Sequence, residues 1–308
     1  MSTAHTHHTG LFLMMLDDLS LYTQLDSEGL AAHITAFADH LTDGWVSSQN
    51  TQIPIGINVA MRGGLHTIQQ AYDLVTACYP FVDVLDPRLT PISLQVGTIM
   101  ASQQAKINRE HNMLGWYVGY LLGVLAHLDL IDSPEADLQA TLPILAAQMA
   151  QLGIDSPAVT NPAKRLAGQF MERLPVIYGG GVMNTVAQRW KTQLNLNAKT
   201  FALAEKLPDA AYYAIEGVRF PGHAINRTHT VFLQLSNDPF EQYGEALYIL
   251  YMTSGIAVDK IIGAGESPLA NALTTIQYGD FVSLYLAIAY GIDPSESPLL
   301  SEIYGLDQ

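Results

Sequence analysis

Between Leu174 and Asn195 the chain passes from an apolar run, Leu174-Pro175-Val176-Ile177-Tyr178, through three consecutive glycines into a stretch of helical periodicity. Few arrangements accept that order. The apolar run reads as a strand, Gly179-Gly180-Gly181 makes a turn with no Cβ in the way, and Val182 to about Asn195 reads as a helix. Strand, glycine turn and helix form the unit from which parallel sheets flanked by helices are built. A fainter copy lies upstream. Ile53 to Met61 has strand character, Arg62-Gly63-Gly64 turns, and Leu65 to Tyr79 places Ile68, Ala71, Tyr72, Leu74 and Val75 on one helical face. Phe81–Leu85 then makes a short strand that Asp86-Pro87 closes. Two such units predict an α/β fold with two doubly wound halves, each a mostly parallel sheet between helices.

The remaining segments fit around these units. Leu11, Leu13, Met14, Leu16 and Leu19, then Leu30, Ile34, Phe37, Ala38 and Leu41, give residues 1–50 the periodicity of helices. Residues 51–160 form the first half, with a thin strand at Ile92–Val96 and a long apolar helix over about Asn112–Leu130. Asp132-Ser133-Pro134-Glu135 starts another helix that runs to about Leu152. Residues 161–308 form the second half: a helix over Ala163–Arg173, the glycine unit, and strands at Tyr213–Ile215, Val231–Leu235 and Ile256–Ile262. A helix covers Gln242–Thr253, another begins near Pro268, and a further apolar helical stretch covers Asp280–Tyr290.

Charge narrows the function. Against 14 basic residues stand 29 acidic ones, a net charge of −15, and residues 1–150 hold only Arg62, Arg88, Lys106 and Arg109. Nucleic-acid binding rests mainly on neutralised phosphates, so nucleic acid and anionic membranes are excluded as partners. A phosphorylated small molecule is repelled at long range and needs local donors. The apolar stretch 113–130 is broken by His127 and Asp129 and reads as a buried helix, not a membrane span. The polar, His-bearing Met1–Gly10 leads us to expect no signal peptide, and the single cysteine, Cys78, fits a reducing cytoplasm.

The second glycine unit also carries a resemblance. Leu174-Pro-Val-Ile-Tyr-Gly-Gly-Gly181, Val186-Ala187, Arg189-Trp190-Lys191, Gln193, Asn195 and Asn197-Ala198-Lys199 are followed by a second block. That block reads Glu266-Ser-Pro-Leu-Ala270, Tyr278-Gly-Asp-Phe-Val-Ser283, Tyr285-Leu-Ala287 and Gly291-Ile-Asp-Pro294. In order and spacing these blocks resemble the second domain of the bifunctional phosphoglucose/phosphomannose isomerases, a family of the sugar isomerase (SIS) fold. The likeness covers about residues 170–300, and the first half only through its outline and Leu114-Gly115-Trp116. It implies two SIS-like halves, the first truncated, in a homodimer that needs no cofactor. It further implies aldose–ketose isomerisation of hexose 6-phosphates, with a glutamate base, a ring-opening histidine, a phosphate loop of Ser and Thr, an arginine and a late lysine.

Residue by residue the resemblance departs from the family at those positions. Leu196 stands where the family has its glutamate, Tyr212 where it has its histidine, and His111 where it has its arginine. No Lys or Arg follows Lys260, and residues 85–109 lack the Ser/Thr loop. Glu205 and Glu216 are the glutamates nearest in sequence to Leu196. Two functions follow from different classes: a phosphosugar isomerase-like protein that binds a sugar phosphate, or a non-catalytic SIS-fold sensor or interaction protein.

Candidate ligand-binding residues come from the two glycine turns and their surroundings: Gly63, Gly64 and Thr67 in the first, Gly179, Gly180, Gly181 and Asn184 in the second, and Lys199 beyond it. Arg219 and His223 join Arg227 and His229 in the densest basic cluster of the chain. That cluster reads either as a phosphate or carboxylate contact or as a solvated loop or oligomer contact. His5, His7 and His8 lack partner ligands, and no HExxH or paired-cysteine motif occurs, so no metal site is expected. Asp17-Asp18 reads as a solvated helix face, Cys78 as a small packing residue, and Tyr212, Tyr213, Tyr243, Tyr248 and Tyr251 as core and interface filling.

Overall fold

The computed structural model describes residues 14–49, 65–79 and 114–304. The strands expected at 53–61, 81–85 and 92–96, the Arg62-Gly63-Gly64 turn, His111 and the N-terminal histidines lie outside the described residues. The chain divides into two compact units, Met1–Ala31 with Ala140–Ser295, and Ala32–Gln139 with Glu296–Gln308.

In the first unit a four-stranded parallel sheet takes the order β2-β1-β3-β4, with β1 at Leu174–Gly180, β2 at Leu203–Leu207, β3 at Thr228–Gln234 and β4 at Ala257–Ile262. Strand alternation sends Val176, Tyr178, Leu207 and Phe232 into one core, which Leu247 and Tyr251 cover from helix Glu241–Thr253. The other face carries Ile177, Val231 and Leu233, all buried. Helices on both faces of a parallel sheet make this the doubly wound fold that the glycine unit predicts.

Numbering helices in chain order, α1 is Leu19–Leu25, α2 Leu30–Thr35, α3 Phe37–Gln49, α4 Leu65–Cys78, α5 Leu114–His127, α6 Glu135–Leu152 and α7 Pro162–Phe170. After β1 comes α8, Val182–Leu196; after β2 come α9, Asp209–Ala214, and the single-turn α10, Gly222–Ile225. The chain then forms α11, Glu241–Thr253, α12, Pro268–Tyr290, and α13, Pro298–Tyr304. Each end has a chemical cause where a cap is seen. Asn161 Oδ1 accepts from the Ala163 and Lys164 amides to start α7, Ser267 Oγ accepts from Ala270 N to start α12, and Gly291 at φ +69° ends it.

Two expectations are corrected. Tyr213–Ile215 is no strand: Asp209–Ala214 is a helix and Ile215 follows it, while the strand of this region is β2, which lies before that helix. β2 escapes the sequence pattern because an edge strand with Glu205 and Lys206 at its centre shows little apolar alternation. The two helices expected at the C-terminal end are one, since Tyr278-Gly279-Asp280 continues α12 without a break and nearly every residue of it is buried. Asp17 and Asp18 are exposed, as expected, but they precede α1 and also hold structure. Asp17 accepts from Lys164 Nζ at 3.0 Å and from Ala158 N at 2.8 Å, and Asp18 caps α1 through Ser20 N.

In the second unit the apolar helix α5 packs closely on α3. Gly115, Gly119 and Gly123 fall four apart on one face of α5, against Gly44 and Ser48 of α3. A Cβ on Gly119 would overlap the Leu41 carbonyl, and one on Gly44 the Trp116 carbonyl. The two backbones therefore approach at a distance that only glycine permits. Among the described residues no helix is long and apolar enough to cross a membrane.

Candidate functional site

In a doubly wound sheet the crevice opens where neighbouring strands lead to helices on opposite faces. Here those strands are β1 and β3. The turn after β1 enters α8, whose Met183 carbonyl lies against Gly179 so closely that a Cβ there would overlap it. The turn after β3 enters α11 on the face of Tyr178 and Phe232. Gly179 pairs with Leu233 in register, so the next residues, Gly180 and Gln234, stand side by side at the carboxyl ends on the α11 face.

The crevice is built from Gly180, Gly181, Gln234 and the segment between β3 and α11. The Phe240 ring sits on Gly180, where any Cβ would overlap it, and approaches within 3.2 Å of a Cβ position at Gly181, whose φ is +51°. Asp238 holds that segment in shape: its carboxylate accepts from Phe240 N at 2.8 Å and from Leu235 N at 3.3 Å. Desolvation raises its carboxyl above the usual carboxylate range despite these two bonds. Buried Asn271 ties the loops after β3 and β4 together, accepting from Ser236 N at 2.6 Å and donating to Gly265 O at 2.6 Å. Gln234 is 4% exposed, and its Nε2 has no hydrogen-bond partner. On the helix side the Asn184 Oδ1 is likewise buried without a partner.

The residues expected at the site scatter. Gly179, Gly180, Gly181 and Asn184 do meet at the β1–α8 turn, but Phe240 lies over Gly180 there, while Gly181 stays exposed. Lys199, in the left-handed region at φ +50°, donates to the carbonyls of Asp293 at 2.9 Å and Pro294 at 3.2 Å, so it secures the chain after α12. Leu196 is the last residue of α8 and half-buried. Tyr212 lies on the outside of α9, 73% exposed, and is not core filling; Tyr213 beside it donates to Glu205 at 3.0 Å. Tyr251 is buried and bonds Tyr178, while Tyr243 and Tyr248 pack on the same core. Arg219 and His223 are exposed, as is Arg227, which lies 3.9 Å from Glu172. His229 is separated from them, buried in β3 with Nε2 against Asp259 at 2.7 Å. Thr67 is buried in α4, and Gly63 and Gly64 lie outside the described residues. Cys78 ends α4, with its thiol pushed up by burial and by Asp137. Among the described residues no group of three or more His, Cys, Asp or Glu could hold a metal ion.

Sequence reasoning missed Gln234, Phe240 and Asn271. A signal for the first two was available, since they lie at or just after the apolar run 231–235 and so stand at the end of a central strand.

The two quoted sequence blocks meet in space, and they do so as structure. Arg189 of α8 grips Asp280 of α12 in a bidentate pair, Nε to Oδ1 at 3.2 Å and Nη2 to Oδ2 at 2.9 Å, both side chains buried. Desolvation raises the Asp280 carboxyl, and the guanidinium opposes that shift. Trp190 donates to Thr275 O at 2.9 Å, stacks on Tyr278 and fills the space in which Gly279 lacks a side chain. Asn197 donates to Ser283 Oγ at 2.9 Å. The blocks weld α8 to α12 and so hold the back of β1.

Residues 159–304 match the family described as bacterial phospho-glucose isomerase C-terminal SIS domain. A bifunctional phosphoglucose/phosphomannose isomerase of Caldicellulosiruptor bescii is 30% identical over 185 residues, which cover 59% of this chain and 55% of that one. The chain spans about half the length of the curated relatives it matches. A hypothetical protein of Thermus thermophilus superposes with a TM-score of 0.63 at 10% identity, over 99% of this chain and 96% of that one. A glucose-6-phosphate isomerase like protein from the same organism gives a TM-score of 0.50 at 23% identity over 61% and 62%. The resemblance to the phosphosugar isomerases therefore holds, and the α/β fold with a parallel sheet is shared with these solved structures.

Proposed function

We propose that the chain is a phosphosugar isomerase-like SIS protein that binds a sugar phosphate and does not carry out the family's proton transfer. One observation carries this reading: Leu196 ends α8 between Asn195 and Asn197, where the resemblance implies the glutamate base. A leucine moves no proton, and its neighbours are committed. Asn195 Oδ1 accepts from Ala202 N, Asn197 donates to Ser283, and Lys199 is bonded to Asp293 and Pro294. Neither nearby glutamate takes the base's place: Glu205 sits mid-strand in β2 against Tyr213, and Glu216 lies in an exposed 3-10 turn. In the same reading residues 51–160 form a trimmed first SIS-like half, and two copies form a cytoplasmic homodimer.

Fructose 6-phosphate should raise the melting temperature of the full chain in a thermal-shift titration, because a ligand that binds only the folded state stabilises it. The same preparation should leave fructose 6-phosphate unconverted to glucose or mannose 6-phosphate. Turnover that is lost on Glu205→Gln would instead locate a relocated base. The second reading, a pure interaction protein, is favoured by Phe220 and Tyr212, 85% and 73% exposed on the excursion between β2 and β3. It wins if no sugar phosphate shifts the melting temperature.

A further inference from the structure

We infer that the crevice between Gly180 and Gln234 is a ligand subsite held shut by Phe240. The inference rests on the sugar-phosphate reading and identifies where such a ligand enters and what must move. Two independent features meet at this point. Phe240 lies on Gly180 and reaches Gly181, so the ring covers the Gly180 side of the turn at the head of the fifteen-residue helix α8. Beside it, Gln234 presents a donor, Nε2, that is buried and has nothing to donate to. The neighbours within 4 Å of a Cβ position at Gly244 include that Nε2 at 3.5 Å and the Leu207 Cδ1 at 3.5 Å, so the orphaned amide faces apolar groups. A donor kept without an acceptor is costly, and a ligand oxygen placed there would recover that loss.

The shutter is suited to moving. Ser236, Asn237 and Pro239 line the outer side of the segment that carries Phe240, which is fixed by Asp238 at its centre and by Asn271 at its start. Removing the ring uncovers Gly180 without touching either anchor. The subsite therefore takes an oxygen-rich ligand, a sugar phosphate, whose hydroxyl or phosphate oxygen accepts from Gln234 once Phe240 swings away.

The test is calorimetric titration of the full chain with fructose 6-phosphate, using Phe240→Ala and, as a second opening variant, Phe240→Leu. Release of the shutter should tighten binding about tenfold over wild type, as for a site open about a tenth of the time. Adding Gln234→Met to the opened chain should abolish that gain. Gln234→Met alone should leave the melting temperature unchanged or higher, whereas a purely structural glutamine would lower it. Opened variants that bind no more tightly than a binding wild type overturn the shutter and leave the sugar-phosphate reading standing. Folded variants that bind nothing overturn the subsite itself.

Discussion

Arg189 and Asp280 lie ninety-one positions apart and form a buried bidentate pair. Such a pair is costly to break from one side, because the remaining charge stays buried without a partner. Arg189→Met should destabilise the fold by about 3–5 kcal/mol, and adding Asp280→Leu should recover most of the loss. Urea unfolding followed by circular dichroism reads both; a double variant as unstable as the single one would contradict the account. The same pair shows what sequence reading could and could not reach. Arg189-Trp190 and Tyr278-Gly-Asp280 stand out as motif residues, and motif residues invite a ligand. Their actual use, welding α8 to α12, depends on a contact that no local pattern encodes. Lys199 repeats the lesson, since a cation near the glycine turn in sequence spends its donors on carbonyls after α12.

Elements were legible where period and punctuation agreed. The β1–turn–α8 unit needed only its apolar run, three glycines and a helical repeat, and the structure places it within two residues of the expectation. β2 was lost because its two charged residues sit on a sheet edge, and α12 was divided because Gly279 looks like a break. Gly279 breaks nothing: its missing side chain is the space that Trp190 fills. The α3–α5 pair carries the same logic further. Its glycines at 115, 119 and 123 are visible in the sequence, but the backbones they admit are not. Gly119→Val should lower stability by about 1–3 kcal/mol or more in chemical denaturation, because the new side chain meets the Leu41 carbonyl. A neutral result would contradict the close approach.

At the scale of the whole molecule the fold and the chemistry separate. A net charge of −15, a parallel sheet with helices on both faces and the match over residues 159–304 all concern the scaffold. Function has to be argued from the site. At the far end of α8 the resemblance calls for a carboxylate and the chain supplies Leu196, while Phe240 and Gln234 occupy a separate crevice at the head of that helix, which the sheet topology opens. The crevice was only half legible, because the residues of one turn were conspicuous as glycines and those of the other were an ordinary glutamine and phenylalanine.

The central claim is that the ordinary proton transfer is gone, and it can be read at the proton itself. Fructose 6-phosphate incubated with the protein in deuterium oxide and followed by proton and deuterium NMR reports exchange at C1 even where no net isomerisation accumulates. No deuterium is expected at C1 beyond the protein-free control. Incorporation that depends on the protein would mean that a base is at work and would contradict that claim.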